Sequence, residues 1–174
     1  MNGEEKIMEA PVPVKVKGVY IAEAEGGSPA PVVLLEDERS RIVPIFVGLS
    51  EAISIHHALT GELSPRPMTH DLMKQILDTF QVSLIRVVIH EIKGNTYYAN
   101  LYLNIDGEEV VVDSRPSDAI ALAVRIKAPI YVAESVISST KQMGVLASSL
   151  LEDDDELKSL ISDMNPEDFG KYKM

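Results

Sequence analysis

The sequence predicts an α+β fold in which a strand–strand–strand–helix unit occurs twice, giving mixed, mainly antiparallel sheets covered by helices. Three observations predict it. Apolar, β-branched runs recur in threes between turn signals and are followed by helical periodicity. A shift of 67 positions lays one half on the other without a gap, so that Ser50-Glu51-Ala52-Ile53 falls on Ser117-Asp118-Ala119-Ile120 and Gly26-Gly27-Ser28 falls on Lys93-Gly94-Asn95. The length, 174 residues, suits one domain with its own core.

The elements follow in order. Residues 14–23 (VKVKGVYIAE) read as a strand between Pro13 and the Gly26-Gly27 turn, and 31–37 and 41–47 as two more. Pro44 has no N–H to give a ladder, which predicts an edge or a bulge for the third. Ser50 is the expected cap of a helix that stops at Gly61. Pro65 and Pro67 keep the next stretch extended, and Thr69 is the expected cap of a helix over about 70–80. In that helix Leu72, Met73, Ile76, Leu77 and Phe80 share one face. Strands follow at 82–92, 96–105 and 108–113, joined by the turns Gly94-Asn95 and Asp106-Gly107. A helix then starts near Ser117, with a short buried strand at 129–133, a helix near 134–148 and an acidic helix at 152–163. The expected organisation is a flexible arm at 1–13, a domain at 14–137 with repeat units 14–61 and 81–128, and an acidic helical tail at 138–174.

Charge and composition limit the function classes. The net charge is −11, with an acidic block at Glu152–Glu156. Such a surface repels nucleic acid over about 8–10 Å at physiological salt, so a polynucleotide needs a local basic patch or bridging divalent cations. The absence of cysteine removes disulfides, thiolate catalysis and zinc–thiolate sites. No apolar run approaches the ~20 residues of a membrane span, and the acidic N-terminus has no apolar signal core. A cytoplasmic protein is the expectation.

Two segments carry the candidate chemistry, Arg66-Pro67-Met68-Thr69-His70-Asp71 and Asp113-Ser114-Arg115-Pro116-Ser117-Asp118. Each sets an arginine and a proline before a helix start, where free N–H groups and the dipole favour anions. Arg66 and Arg115, helped by Thr69 and Ser117, are the candidate phosphate-binding residues. Asp71, Asp113 and Asp118 are candidate ligands for a hard cation such as Mg²⁺ or Mn²⁺, which clamps phosphate and acidifies its bound water. His70, with Asp71 and Asp113, is the candidate for proton transfer near neutral pH. Acidic residues and hydroxyls at helix starts also serve architecture alone. The first unit has Phe46-Val47-Gly48-Leu49 where the second has Asp113-Ser114-Arg115-Pro116, so the strand-to-helix corner does not need the latter. That contrast singles out Asp113 and Arg115. His56 and His57 lie about 100° apart on a helix and do not face one metal together.

R-P-M-T-H-D-L (66–72), V-V-I-H-E-I-K-G-N-T-Y-Y-A-N-L (87–101), V-D-S-R-P-S-D-A-I-A-L-A (112–123) and A-P-I-Y-V (128–132) together resemble the bifunctional nuclease domain family over residues 14–137, and the N-P-E-D-F-G ending is similar to that of some prokaryotic members. The Asp-Tyr-Glu and Ala-Ala-x-x-Arg-Asp pattern of the UVR motif found in some bacterial members does not occur in this sequence. The resemblance implies a nuclease or phosphodiesterase that hydrolyses DNA or RNA with a divalent metal, and a homodimer. The alternative is a non-catalytic, homo-oligomeric module whose Arg-Pro corners bind a small anion or a partner's carboxylates.

Overall fold

The structure, a computed structural model, describes residues 10–23 and 29–147. Residues 1–9 of the expected arm and the expected acidic helix at 152–163 lie outside the described residues. The strands are β1 (Val12–Glu23), β2 (Pro29–Asp37), β3 (Ile42–Phe46), β4 (Ser83–Lys93), β5 (Thr96–Ile105), β6 (Glu108–Ser114) and β7 (Ile130–Val132). The helices are α1 (Leu49–Thr60), α2 (Thr69–Thr79), α3 (Pro116–Ile126), α4 (Glu134–Ser139) and α5 (Lys141–Ala147). The strands form one sheet in the order β3-β2-β1-β7-β4-β5-β6. Among the described residues only β4–β7 is parallel; the other pairs are antiparallel. The α+β class and the mainly antiparallel pairing are as the sequence predicts, in one sheet rather than several. β1 starts before the expected strand, since Pro13 already pairs with Tyr131. Pro44 does lie on an edge strand.

The pattern of alternation decides which face of each strand is buried. Val33, Leu35, Val43 and Ile45 join Val87, Ile89, Leu101 and Leu103 in one core beneath α1 and α3, whose Ala52, Ala119, Ile120, Leu122 and Ala123 close it. The sheet is strongly curved around this core. Tyr97 on β5 donates its phenol to the Pro44 carbonyl on β3 at 3.0 Å. Five strand spacings separate these strands along the sheet, about 24 Å if it were flat, which no tyrosine spans. Burial there pushes the Tyr97 phenol up to about 12.

The two β-β-β-α units match, but not without a gap. Val19 pairs with Val33 and Val87 with Leu101, which is an offset of 68 in both strands of the first hairpin. The bulge between Val16 and Gly18 recurs at the same offset, between Leu84 and Arg86. From β3 onward the offset is 67: Ile45, which pairs with Val33, corresponds to Val112, which pairs with Leu101. The turn Asp106-Gly107 is one residue shorter than its counterpart. A gapless alignment at 67 would turn every side chain of the first hairpin to the wrong face. The match is one of architecture; descent from a duplicated unit stays an expectation.

Three further expectations are corrected. The helix near 134–148 is two short helices, broken at Thr140. The residues before α1, α2 and α3 are Gly48, Met68 and Arg115, and no side-chain cap is formed by Ser50, Thr69 or Ser117, which sit inside the first turn. Pro116 at the first turn of α3 supplies a helical φ there and lacks the N–H that would be orphaned. The expected apolar face of α2 is only half used. Met73 and Leu77 pack on the core, whereas Leu72, Ile76 and Phe80 are exposed.

The sheet's second, outer face is covered differently in the two units. On β1–β3, Tyr20, Val32, Leu34 and Ile42 form a small cluster with Ala147 of α5. The helix lies so close to β3 that a Cβ on Gly144 would overlap the Ile42 carbonyl oxygen. Arg41 ties the β2–β3 turn to α4 by bonding both Asp37 and Glu134. Among the described residues, no helix is long and apolar enough to cross a membrane.

Candidate functional site

The residues singled out from the sequence come together in part, through the packing of α1 and α2 against α3. His70, at the start of α2, is 5% exposed. Its Nδ1 lies 2.8 Å from the Ser54 hydroxyl of α1 and its Nε2 lies 3.0 Å from Asp118 Oδ1 of α3. Asp118 also accepts from Arg115, with Nε at 2.7 Å and Nη2 at 3.0 Å. Arg115 Nη2 lies 3.0 Å from Glu51 of α1. The result is a chain, Ser54–His70–Asp118–Arg115–Glu51, that ties three helix ends together.

Burial pushes the Asp118 carboxyl up, but the bonds from Arg115 and His70 outweigh it and hold the group below the ordinary carboxylate range. Ionised Asp118 offers only acceptors, so His70 Nε2 carries a proton towards it, and Nδ1 shares a hydrogen bond with the Ser54 hydroxyl. Both ring nitrogens are spent. Arg115 ends the chain at the surface, with a side chain 66% exposed. Its Nε and Nη2 are engaged; the two N–H groups of Nη1 have no partner among the described residues and remain available to an anion.

Asp71 is on the same helix as His70 but belongs to a second pair. Its Oδ1 accepts Arg125 Nε at 2.6 Å and its Oδ2 accepts the Met68 N–H at 3.0 Å. Burial raises the Asp71 carboxyl, and the Arg125 bond with the Met68 N–H more than reverses this. Arg125 in turn donates Nη1 to the Ala121 carbonyl. Asp71 is therefore a fastening of α2 to α3.

Asp113 is exposed, pairs with Asn100 across the β5–β6 ladder, and has no side-chain partner among the described residues. It stands two residues before Arg115 near the end of β6, in the ladder row that alternates with the core-facing row of Ala99 and Leu101. Arg66 is exposed in the segment leading into α2 and likewise has no partner among the described residues. Thr69 is exposed and Ser117 is buried in the first turn of α3. No three His, Cys, Asp or Glu side chains converge as a metal-holding group among the described residues. The structure thus joins His70, Asp118 and Arg115 and leaves Asp113, Arg66 and Asp71 outside that network. His57 is half-buried near Glu62, with Nε2 3.3 Å from its carboxylate.

Sequence reasoning missed Ser54 and Glu51. Both look like ordinary polar residues near the start of α1. Their role exists only because the small side chains Ala52, Ala119 and Ala123, all fully buried, let α1 and α3 lie close. Such a contact leaves no spacing signal.

The depressed Asp118 carboxyl has a consequence for stability. The unfolded carboxyl takes a proton near ~3.9 and the folded one only at lower pH, so this contribution is complete above ~4 and is lost as pH falls through the folded value. Asp118→Asn removes it. Urea midpoints should show the variant less stable than the parent at neutral pH, with the gap closing as pH drops below ~4. A gap independent of pH would mean that Asp118 contributes by shape alone.

A curved, helix-lined α+β sheet with an arginine-bearing corner defines the class, and comparison with known proteins identifies it. The family model described as "Bifunctional nuclease domain" matches residues 32–144. The chain belongs to the bifunctional nuclease domain family. It is 32% identical over 167 residues to "Uncharacterized protein Rv1829" of Mycobacterium tuberculosis (strain ATCC 25618 / H37Rv), covering 90% of this chain and 96% of that protein. It is 37% identical over 111 residues to "Bifunctional nuclease 1" of Arabidopsis thaliana, covering 60% of this chain and 33% of that one. With "Bifunctional nuclease 2" of the same plant it shares 36% identity over 108 residues, 58% of this chain and 32% of the relative. The chain therefore spans about a third of the length of these plant relatives.

Proposed function

We propose that this protein is a phosphodiesterase of the nuclease type, acting on single-stranded DNA or RNA at the corner between β6 and α3. The observation that carries the reading is the state of Arg115. Asp118 and Glu51 both bond its guanidinium, its Nη1 is unspent on a side chain that is mostly exposed, and the exposed carboxylate of Asp113 lies two residues earlier in the chain. A held guanidinium binds phosphate with little loss of side-chain freedom, and two parallel N–H bonds to phosphate oxygens are its preferred geometry. Membership of the family and the names of the plant relatives support the nuclease class.

In this reading Asp113 would hold a divalent ion together with substrate phosphate. Mg²⁺ or Mn²⁺ would be held in that manner, through one or two carboxylates, phosphate and water, because no three ligating side chains converge among the described residues. Such an ion neutralises phosphate charge and lowers the pKa of bound water. It also answers the repulsion expected from a net charge of −11. Arg115 orients the phosphate and stabilises charge as it builds on the oxygens. Asp118 and His70 keep Arg115 in place; with both ring nitrogens engaged, His70 serves as a positioning residue, not as a proton carrier. Arg66 is free to neutralise a neighbouring phosphate.

The second reading, a non-catalytic anion-binding module, draws on the same free Nη1 and on the absence of a three-ligand metal group among the described residues. Cleavage of single-stranded oligonucleotides by the purified chain with Mg²⁺ or Mn²⁺ separates the two. The nuclease reading expects cleavage that stops with chelator and falls by about 10²-fold or more in Asp113→Asn, a loss typical when one transition-state contact is removed. Cleavage unchanged in Asp113→Asn would remove the site. No cleavage with phosphate binding retained would favour the binding module. The homodimer and the cytoplasmic location belong to the same proposal; light scattering checks the first.

A further inference from the structure

Leu72, Ile76 and Phe80 recur every four residues along α2 and are 51%, 48% and 73% exposed, while Met73 and Leu77 beside them pack on the core. A contiguous apolar patch left in water marks an interaction site. The helix keeps its charges off this ridge. By the 100° step of a helix, Asp71, Lys74 and Asp78 lie about 140–160° round from Ile76. Lys74 bonds Asp78 at 2.7 Å, and Asp71 is held by Arg125 at 2.6 Å. The flank away from the core is Gln75 and Thr79, both exposed and uncharged.

Charge, shape and area all fit a second copy of this chain. Each copy carries −11, so two copies repel over most of their surface and meet most easily at an uncharged face. A cationic partner would be drawn to the acidic surface instead. A ridge of residues four apart is complementary to itself, and two such ridges interdigitate in the commonest class of helix packing, crossing at about −50°. With the twofold axis at Ile76 and the helices in the antiparallel sense, Leu72 meets the partner's Phe80, and the contact runs about 12 Å along each helix. Leu63, in the segment leading into α2, is 95% exposed. Taking about 120 Å² for a fully buried aliphatic side chain and about 200 Å² for phenylalanine, the ridge with Leu63 offers roughly 400 Å² of apolar area per copy. In an interface about 60% apolar that is about 650 Å² per partner, the low end for a specific contact.

We propose that α2 is the interface of a symmetric dimer, with Leu72, Ile76 and Phe80 packed on the same ridge of a second copy and Leu63 at the rim. This rests on the homodimer reading above, whose interface it names, and not on the nuclease reading. Sedimentation of the full chain should show a reversible monomer–dimer equilibrium. Added salt should tighten it, because the contact is apolar and what opposes it is the repulsion of two acidic copies. Ile76→Asp sets two carboxylates against each other on the axis and should weaken the dimer by about 10²-fold or more, with the circular dichroism spectrum unchanged. The chain has no cysteine, so Ile76→Cys should give a disulfide-linked dimer on mild oxidation, while Lys74→Cys, on the far side of the helix, should not. A chain that stays monomeric at every concentration would overturn both this interface and the homodimer reading. A dimer that survives Ile76→Asp, loosens as salt rises, or links through Lys74→Cys as readily as through Ile76→Cys would overturn the interface and leave the homodimer standing.

Discussion

Arg115→Ala should lower cleavage of single-stranded nucleic acid by about 10²- to 10³-fold while leaving the fold intact. The two halves of that expectation have separate causes. The side chain is 66% exposed, and its ion pairs with Asp118 and Glu51 lie at the surface end of the network. Exposed pairs of this kind contribute about 0–1 kcal/mol, so the melting temperature should move by only a few degrees. Activity depends instead on Nη1, which no residue can replace. Arg115→Lys should fare almost as badly. An ammonium can keep one bond to Asp118 or reach a phosphate, but it has no second pair of N–H groups set at a fixed angle to the first. A lysine variant with near-parental turnover would show that charge alone is needed, and would move the phosphate site away from this corner.

The largest expected effect on stability belongs to His70→Ala. The ring is buried between Ser54 and Asp118, so the change removes two hydrogen bonds and leaves a space at the junction of three helices. A buried hydroxyl left without a partner costs about 1–3 kcal/mol, and the loss of packing adds to it. A total of about 3 kcal/mol corresponds to a fall of roughly 6–12 °C in Tm for a chain of this size. Assayed well below that temperature, the variant should still cleave, but with a raised KM, because Asp118 keeps Arg115 less firmly placed. His70→Gln, which can offer an N–H to Asp118 and an oxygen to Ser54, should recover part of both losses. Unchanged KM with lowered stability would leave His70 a structural residue only. Loss of kcat with no change in KM or stability would return it to proton transfer.

Strands and turns were legible because they rest on local chemistry. Pro44 marks an edge, Gly61 accepts a left-handed φ of 76° after α1, and alternation in 96–105 sorts Leu101 and Leu103 inward. The gapless offset failed by one residue because turn signals locate a turn without fixing its length, and face can change with a single residue. The caps failed for a related reason: Ser50, Thr69 and Ser117 have the right chemistry, one or two positions inside the helix start. Of the site, Arg115 and Asp113 could be separated from scaffold by comparing the units. What the sequence could not show is who pairs with whom. Asp71 and Asp118 sit alike in the first turns of their helices, yet one turns to Arg125 and the other to His70 and Arg115. That choice is made by the crossing of α2 over α3, which no spacing encodes.

The proposed function requires phosphate and a divalent ion to meet at the Asp113–Arg115 corner. Mn²⁺ tests it directly, because a bound paramagnetic ion broadens the NMR signals around it. Titrating the full chain with Mn²⁺ and a short single-stranded oligonucleotide should broaden Asn100, Asp113 and Ser114 strongly, with much weaker effects from either component alone, and Asp113→Asn should abolish the effect. Broadening that centres elsewhere, on the acidic turn around Glu36 and Glu38 for example, or that persists unchanged in Asp113→Asn, would contradict it.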